Sequence, residues 1–296
     1  MLFRSLVYQS ASVLRALHKF KSSLTPIYFL LPITVGLICL YYFNTYNRLN
    51  VDAAMLINLC CTMIVCYFTV KKAKKAMRDY TTETKSYIPK EWLSVSGILF
   101  LTTSLDLLLR QSDILMVSFF MDNTNAGYYA VAARLATLTA LGLSVADYVF
   151  MPKIAALYES RQLVKLQSMV RNASLQILSI TLPILFTLII GGKWILGMFG
   201  PQYADSYIVL VILLCGQIVN SFTGMVGGLM TMTGHQRAFL ILYVLAFGIQ
   251  IILNIILIPS QGIIGAAIGT AVSMIVLNLL AYSFVKKKLK IKASFV

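Results

Sequence analysis

Three charged residues spaced four and then three apart, Asp106, Arg110 and Asp113, stand inside a largely apolar stretch from Trp92 to Met121. At 3.6 residues per turn, those spacings place all three on one helical face. Ionised groups at membrane depth are costly and usually face a bundle interior or a water-filled cavity, where they bind or relay charged species. A carboxylate can hold a proton or a cation there. A guanidinium offers a planar fork of donors suited to phosphate and stays charged when desolvated. The implied chemistry is movement of a charged cargo, that is, transport.

Counted at 1.5 Å per residue from an outer end near Met121, Asp113 lies about 12 Å deep, Arg110 about 16 Å and Asp106 about 22 Å. The next apolar stretch begins near Gly127 and brings Arg134 to about 10 Å on an antiparallel neighbour. Two pairings are expected: Asp106 with Arg110 along one helix, and Asp113 with Arg134 between helices. Ser96 and Thr103 continue the same face and suggest a polar stripe along a lumen. Gln217, Asn220 and Ser221, and further on Gln250 and Asn254, are candidates for the same lumen, with interhelical hydrogen bonding as the open alternative. Asp147 falls at the cytoplasmic end of its stretch, where an exposed or capping role is expected.

Residues held at such depth must be carried by membrane helices. The chain has 296 residues, 59% of them hydrophobic and 12% charged. Its mean hydropathy is +0.82. A soluble protein of this size carries roughly twice that charged fraction. Eight apolar runs fit a bilayer, near 27–43, 51–70, 94–121, 127–151, 174–190, 207–230, 238–258 and 263–285. The formal charge of +15 raises the possibility of nucleic-acid binding, but 21 of the 25 basic residues fall in alternate connections between these runs. That is the positive-inside pattern of a chain with both termini in the cytoplasm, and it removes the nucleic-acid reading. Tyr41, Tyr42, Tyr46, Trp194 and Tyr203 near one interface, and Trp92, Tyr148 and Tyr282 near the other, suit the same frame.

The basic segment 71–92 reads as a linker between a leading helix pair and six later helices. Segment 152–173, with Leu163, Leu166, Met169 and Val170 opposite Arg161, Lys165 and Arg171, reads as a short helix on the inner membrane surface. Small residues repeat every fourth position at Gly224 and Gly228, at Gly265 and Gly269, and at Ala132, Ala136 and Ala140, a spacing that permits close helix packing. Pro32 and Pro183 predict kinks. Cys39, Cys60, Cys61, Cys66 and Cys215 lie in apolar stretches without metal-ligand spacing and read as small buried hydrophobes. There is no nucleotide-binding loop, GxSxG or HExxH, and His18 and His235 are the only histidines. No cofactor, metal site or enzymatic activity is expected.

The run SLDLLLRQSDILMVSFFMDNTNAGYYAVAARLA, residues 104–136, resembles the corresponding segment of polysaccharide flippases. These are the O-antigen and capsule translocases of the multidrug/oligosaccharidyl-lipid/polysaccharide exporter superfamily, with a Gly-x-Tyr-x-x-Ala-x-Arg stretch that falls here on Gly127, Tyr129, Ala132 and Arg134. MPKIAALYES at 151–160, GPQYADSY at 200–207 and GIIGAAIGTAVS at 262–273 extend the resemblance. It implies two six-helix lobes around a central cavity, with alternating access carrying an undecaprenyl-pyrophosphate-linked sugar repeat unit across the bacterial cytoplasmic (inner) membrane. Membrane lipids, and the polysaccharide polymerase and chain-length proteins, are the implied partners.

Family members have about twelve spans, so the expected architecture is all-α: a polytopic membrane helix bundle of about eight transmembrane helices. Residues 1–92 would be the last helix pair of an N-terminal lobe with its linker, 93–285 a six-helix C-terminal lobe and 286–296 a basic tail, the first four helices being absent. Arg110, Arg134, Asp106, Asp113, Gln217 and Asn220 are the expected substrate-binding residues. A cation-coupled multidrug exporter of the same superfamily and a non-transporting scaffold subunit of polysaccharide assembly are the alternatives.

Overall fold

The computed structural model describes residues 2–16, 25–46, 51–78 and 89–291, and every regular element among them is helical. The chain divides into two compact units, Met1–Tyr87 and Ile88–Val296.

In the first unit, α1 (Leu2–Ala16) and α2 (Leu31–Tyr46, entered through a π turn at Pro26–Leu30) both pack on α3 (Val51–Arg78). Val7, Ala11 and Leu14 recur at helical spacing and are buried on α1. Val7 meets Val65 and Cys66 of α3, and Leu14 meets Ala73 and Ala76 further along it. The lysines from Lys71 to Lys75 therefore extend a helix instead of opening a loop; of the expected linker, 79–88 lies outside the described residues, as do His18, Arg48 and the tail beyond Ile291. Pro32, where a kink is expected, follows directly on the π turn Pro26–Leu30 as the second residue of α2.

The second unit contains α4 (Pro89–Phe120), α5 (Asn123–Thr137), α6 (Leu141–Glu159), α7 (Leu163–Gly197), α8 (Tyr207–Thr223), α9 (Val226–Met232), α10 (Gln236–Gln261) and α11 (Ile263–Phe284). Helix α11 is flanked by α8 and α10, and α10 also packs along α4. Close approach explains the α10/α11 pair: a Cβ on Gly265 would lie 2.3 Å from the Leu257 carbonyl oxygen, and one on Gly269 would lie 2.2 Å from Asn254 Oδ1. Two apolar cores form at opposite ends of the unit. One gathers Ile154, Leu166, Ile177, Leu229 and Val285; the other gathers Val117, Tyr129, Leu196, Leu210 and Ile258.

Seven of the described helices are long and apolar enough to cross a membrane, and the chain is a multi-pass membrane protein. The expected first span is the exception: its apolar helix, Leu31–Thr45, is shorter.

Two spans differ from expectation in ways that shape the interior. The span Asn123–Glu159 is interrupted by a 3-10 turn at Leu138–Ala140, whose freed Thr139 carbonyl accepts the Thr181 hydroxyl of α7 at 3.0 Å. The run 207–230 is broken at Gly224, where φ +69° and ψ −144° define a conformation open to glycine and strained for other residues. Gly224 thus ends a helix and does not form a packing pair with Gly228. The expected surface helix at 152–173 is also corrected. The chain turns sharply through Ser160–Gln162, with Arg161 at φ +56°, and Leu166 and Val170 are buried in the first turns of α7. Their apolar face meets the core, not the lipid surface.

Candidate functional site

Between the two apolar cores lies a cavity of about 380 Å³, walled by α4, α5, α6, α8, α9, α10 and α11. Asp106, Arg110 and Asp113 all line it, because their spacing turns them to the same side of α4. Gln217 and Asn220 of α8 and Gln250 of α10 line it too.

The two carboxylates of α4 occupy different surroundings. Asp106 Oδ2 accepts from Arg110 Nε at 3.0 Å, the expected pair along the helix, with both side chains partly exposed. Asp106 Oδ1 accepts from the Tyr243 hydroxyl of α10 at 3.1 Å. That second contact ties the carboxylate to α10, and Asp106, Arg110 and Tyr243 all line the cavity.

Asp113 is 2% exposed. Its Oδ2 accepts from the Tyr129 hydroxyl of α5 at 2.5 Å and from the Thr270 hydroxyl of α11 at 3.1 Å. Its Oδ1 accepts from the Ile114 N–H at 2.9 Å. Gln250 Nε2 donates to the Leu109 carbonyl at 2.9 Å and to Thr270 Oγ1 at 3.3 Å. One carboxylate thus joins α4, α5 and α11, with α10 tied in through Gln250, as buried polar groups require if they are not to remain unsatisfied.

The expected bond between Asp113 and Arg134 does not form. Arg134 is exposed and does not line the cavity; on α5 the buried face is Ala126, Tyr129, Ala132 and Ala136, and Arg134 is turned away from it. Matching depth on neighbouring helices placed the two residues at one level but said nothing of their azimuth. Ser96 and Thr103 are likewise exposed, and the Thr103 hydroxyl returns to the Leu99 carbonyl of its own helix at 2.8 Å. Ser221 and Asn254 are buried among helices and do not line the cavity. Cys60 and Cys215 are exposed, whereas Cys61 and Cys66 are buried.

Three participants escaped the sequence reading. Tyr129 and Thr270 stand inside the motifs quoted for the resemblance, but nothing in the spacing joins them to Asp113. Tyr243 carried no signal beyond a hydroxyl in an apolar stretch. Asp147 was expected to be exposed or capping; it lines the cavity instead, and its Oδ1 is buried without a hydrogen-bond partner. The described part of its helix continues to Glu159, twelve residues beyond it, so Asp147 stands inside its helix and not at the end.

This is a multi-pass all-α membrane protein with a polar cavity inside a helical unit. Residues 2–208 match the family model described as "Polysaccharide biosynthesis protein", and the chain belongs to that family. Among curated proteins it is similar to the probable low-salt glycan biosynthesis flippase Agl15 of Haloferax volcanii, 25% identical over 185 residues that make up 62% of this chain and 39% of that protein. It is 30% identical to the probable flippase AglR of the same organism, over 57% of this chain and 36% of that protein. It is 24% identical to the capsular polysaccharide biosynthesis protein CapF of Staphylococcus aureus, over 54% of this chain and 41% of that protein. The matched stretch thus spans about two fifths of each relative's length.

Among solved structures, the chain is similar to a point mutant of the Vibrio cholerae MATE transporter VcmN. The TM-score is 0.77 at 18% identity, over 96% of this chain and 66% of that one, a likeness of fold alone. The resemblance carried by residues 104–136 is borne out at the level of the family.

Proposed function

We propose that this protein is a flippase that moves a polyprenyl-pyrophosphate-linked oligosaccharide across the cytoplasmic membrane by alternating access, with both termini on the cytoplasmic side. The observation that carries this reading is Arg110, a partly exposed guanidinium held by Asp106 on the wall of an intramembrane cavity. Its Nε is committed to Asp106, and the terminal nitrogens of the fork remain to meet an anionic group such as pyrophosphate. Gln217 and Asn220, on the facing helix, carry amides suited to sugar hydroxyls. The lipid tail stays in the bilayer while the sugar crosses the cavity. Family membership and the flippase names of two relatives support the same cargo class.

The test is export of a lipid-linked glycan in cells lacking their own flippase, or in proteoliposomes. Arg110→Ala is expected to abolish export at normal expression and insertion, and Arg110→Lys to restore part of it, since lysine lacks the planar fork. Full export by Arg110→Ala would end this reading. For orientation, a cysteine at position 205 should label from outside and one at 165 should not.

One observation favours a second reading, cation-coupled export of a small organic cation. The cavity wall carries Asp106, Asp113 and Asp147 against the single guanidinium of Arg110. Competition separates the two: export blocked by anionic lipid-linked sugars and indifferent to organic cations supports the flippase.

A further inference from the structure

We propose that Phe239 and Tyr243 of α10, with the amides of Gln217 and Asn220 on α8, form a subsite that takes one neutral sugar ring at the α9 end of the cavity. The inference deepens the flippase reading and rests on it for the cargo.

Spacing brings the two aromatic residues together. Four apart on α10, they share a helical face, and both line the cavity. Their ring centroids are 4.9 Å apart with the planes at 81°, so the edge of one ring meets the face of the other. Both residues remain partly exposed. The tip of the Phe239 ring is set against α9, where a Cβ on Gly227 would lie 2.9 Å from Cζ and 3.3 Å from Cε1. Gly227 therefore leaves the ring the room it occupies. An aromatic face is the negative pole of the ring quadrupole, and the C–H bonds on the flat face of a pyranose offer it a positive partner.

Hydrogen-bonding groups reach the same space from α8. Gln217 and Asn220 are three apart on that helix and line the cavity. Asn220 Nδ2 donates to Gln217 Oε1 at 3.4 Å, whereas Gln217 Nε2 and Asn220 Oδ1 make no hydrogen bond among the described residues, although Gln217 is only 5% exposed. A donor and an acceptor thus stand free on one wall, a pair that suits hydroxyl groups, which donate and accept. Asn278 of α11 differs: its Oδ1 accepts from the Thr223 hydroxyl at 3.3 Å and its Nδ2 donates to the Met274 carbonyl at 2.9 Å, so its amide is committed to joining α8 and α11.

The chemistry of the walls selects among occupants. A lipid chain would leave the amides of α8 unsatisfied. An organic cation would meet in Gln217 Nε2 a donor that it cannot use. A ring bearing a carboxylate would bring negative charge toward Asp106, which accepts from Tyr243 at 3.1 Å, and toward Asp147, whose Oδ1 borders Gly228 of α9, while Arg110 is already engaged by Asp106. A neutral ring meets none of these penalties. The cavity of about 380 Å³ lies at the small end of ligand sites, which run to about 300–1,000 Å³, so it takes part of an oligosaccharide at a time.

The experiment is saturation-transfer NMR on the whole protein in phospholipid nanodiscs, free of glycosidic detergent, with the methyl glycosides of glucose, galactose and N-acetylglucosamine as probes and tetraphenylphosphonium as competitor. At least one glycoside is expected to show transfer to its ring C–H protons. Phe239→Leu, which keeps apolar bulk beside Gly227, should weaken its binding about 2–10-fold. Gln217→Met, which keeps the side-chain length and removes the free donor, should weaken it as well, and Gly248→Ala should leave it unchanged. Wild type that shows transfer to none of the glycosides would overturn the subsite, as would wild-type affinity in both Phe239→Leu and Gln217→Met, or displacement of every glycoside by tetraphenylphosphonium. Export assays separate the two readings. Should glycosides bind as expected while wild type exports no lipid-linked glycan, the subsite stands and the flippase reading falls; should wild type and Phe239→Leu export equally while no glycoside binds, the flippase reading stands and the subsite falls.

Discussion

The hydroxyl of Tyr129 donates to Oδ2 of Asp113 at 2.5 Å, joining α5 to α4 at a point where both side chains are almost completely buried. The two residues are sixteen apart in sequence and lie on either side of the turn at Met121–Asp122. Thr270 completes the arrangement from α11, so a residue near the end of the chain fixes the geometry of two helices near its middle.

Removing the Tyr129 hydroxyl should leave the buried carboxylate short of a donor. Tyr129→Phe is expected to cost about 1–3 kcal/mol, measured as lowered thermal stability in detergent. In a double-mutant cycle, Tyr129→Phe with Asp113→Asn should show coupling of about 0.5–3 kcal/mol, whereas Arg134→Gln with Asp113→Asn should add to within about 0.5 kcal/mol. Coupling in the second cycle and none in the first would reverse the assignment of partners.

At the α10/α11 seam the contact is with backbone. A Cβ on Gly265 would meet the Leu257 carbonyl oxygen at 2.3 Å, and no rotamer change can relieve that clash. Gly265→Ala should therefore cost at least about 1–3 kcal/mol through forced separation of the helices. Gly248→Ala meets open space within the same α10 and should be neutral, or stabilising by up to about 1 kcal/mol. Equal melting temperatures for the two variants would show that the seam is looser than described.

The break between α8 and α9 depends on one glycine. Gly224→Ala places a Cβ at φ +69° and should cost on the order of 1–3 kcal/mol. Because Gly224 and the residues after it form part of the cavity wall, export should fall more than expression does. Export and expression reduced in the same proportion would indicate a role in folding alone.

Asp122 caps α5: its Oδ1 accepts the Asn125 N–H and its Oδ2 the Asn125 amide, both at 2.7 Å. Those donors hold its carboxyl below the usual carboxylate range. Since the folded-state value is depressed, the capping contribution is present above the ordinary carboxylate range and is lost as pH falls through the lowered value. Asp122→Ala should melt earlier than wild type at neutral pH, and the difference should shrink on acidification below that range. A difference that persists unchanged in acid would count against the charged cap.

The sequence alone determined that this is an all-α membrane protein, because a chain so apolar can satisfy its backbone in lipid only by closing hydrogen bonds within each segment or in a closed barrel, and its runs have helical length. It also determined that Asp106, Arg110 and Asp113 share a face and that Asp106 and Arg110 pair, since both follow from the period of one helix. The flippase-like motifs were legible from Ser104 to Ala136 for the same reason: they are local.

Only the tertiary structure decided which way each helix turns its faces toward its neighbours. Rotation about a helix axis is set by packing, and depth counted along a sequence is blind to it. So Arg134, at the same level as Asp113, turned out to face away, while Tyr129, five residues earlier, faced inward. Asp147 was moved from a helix end to a cavity wall because its span runs on to Glu159, a boundary that hydropathy blurs where Pro152 and Lys153 interrupt the apolar run. The break at Gly224 and the 3-10 turn at Leu138–Ala140 likewise depend on contacts between helices. The shape of the cavity follows from those contacts, and the spacing of the residues along the chain does not encode it.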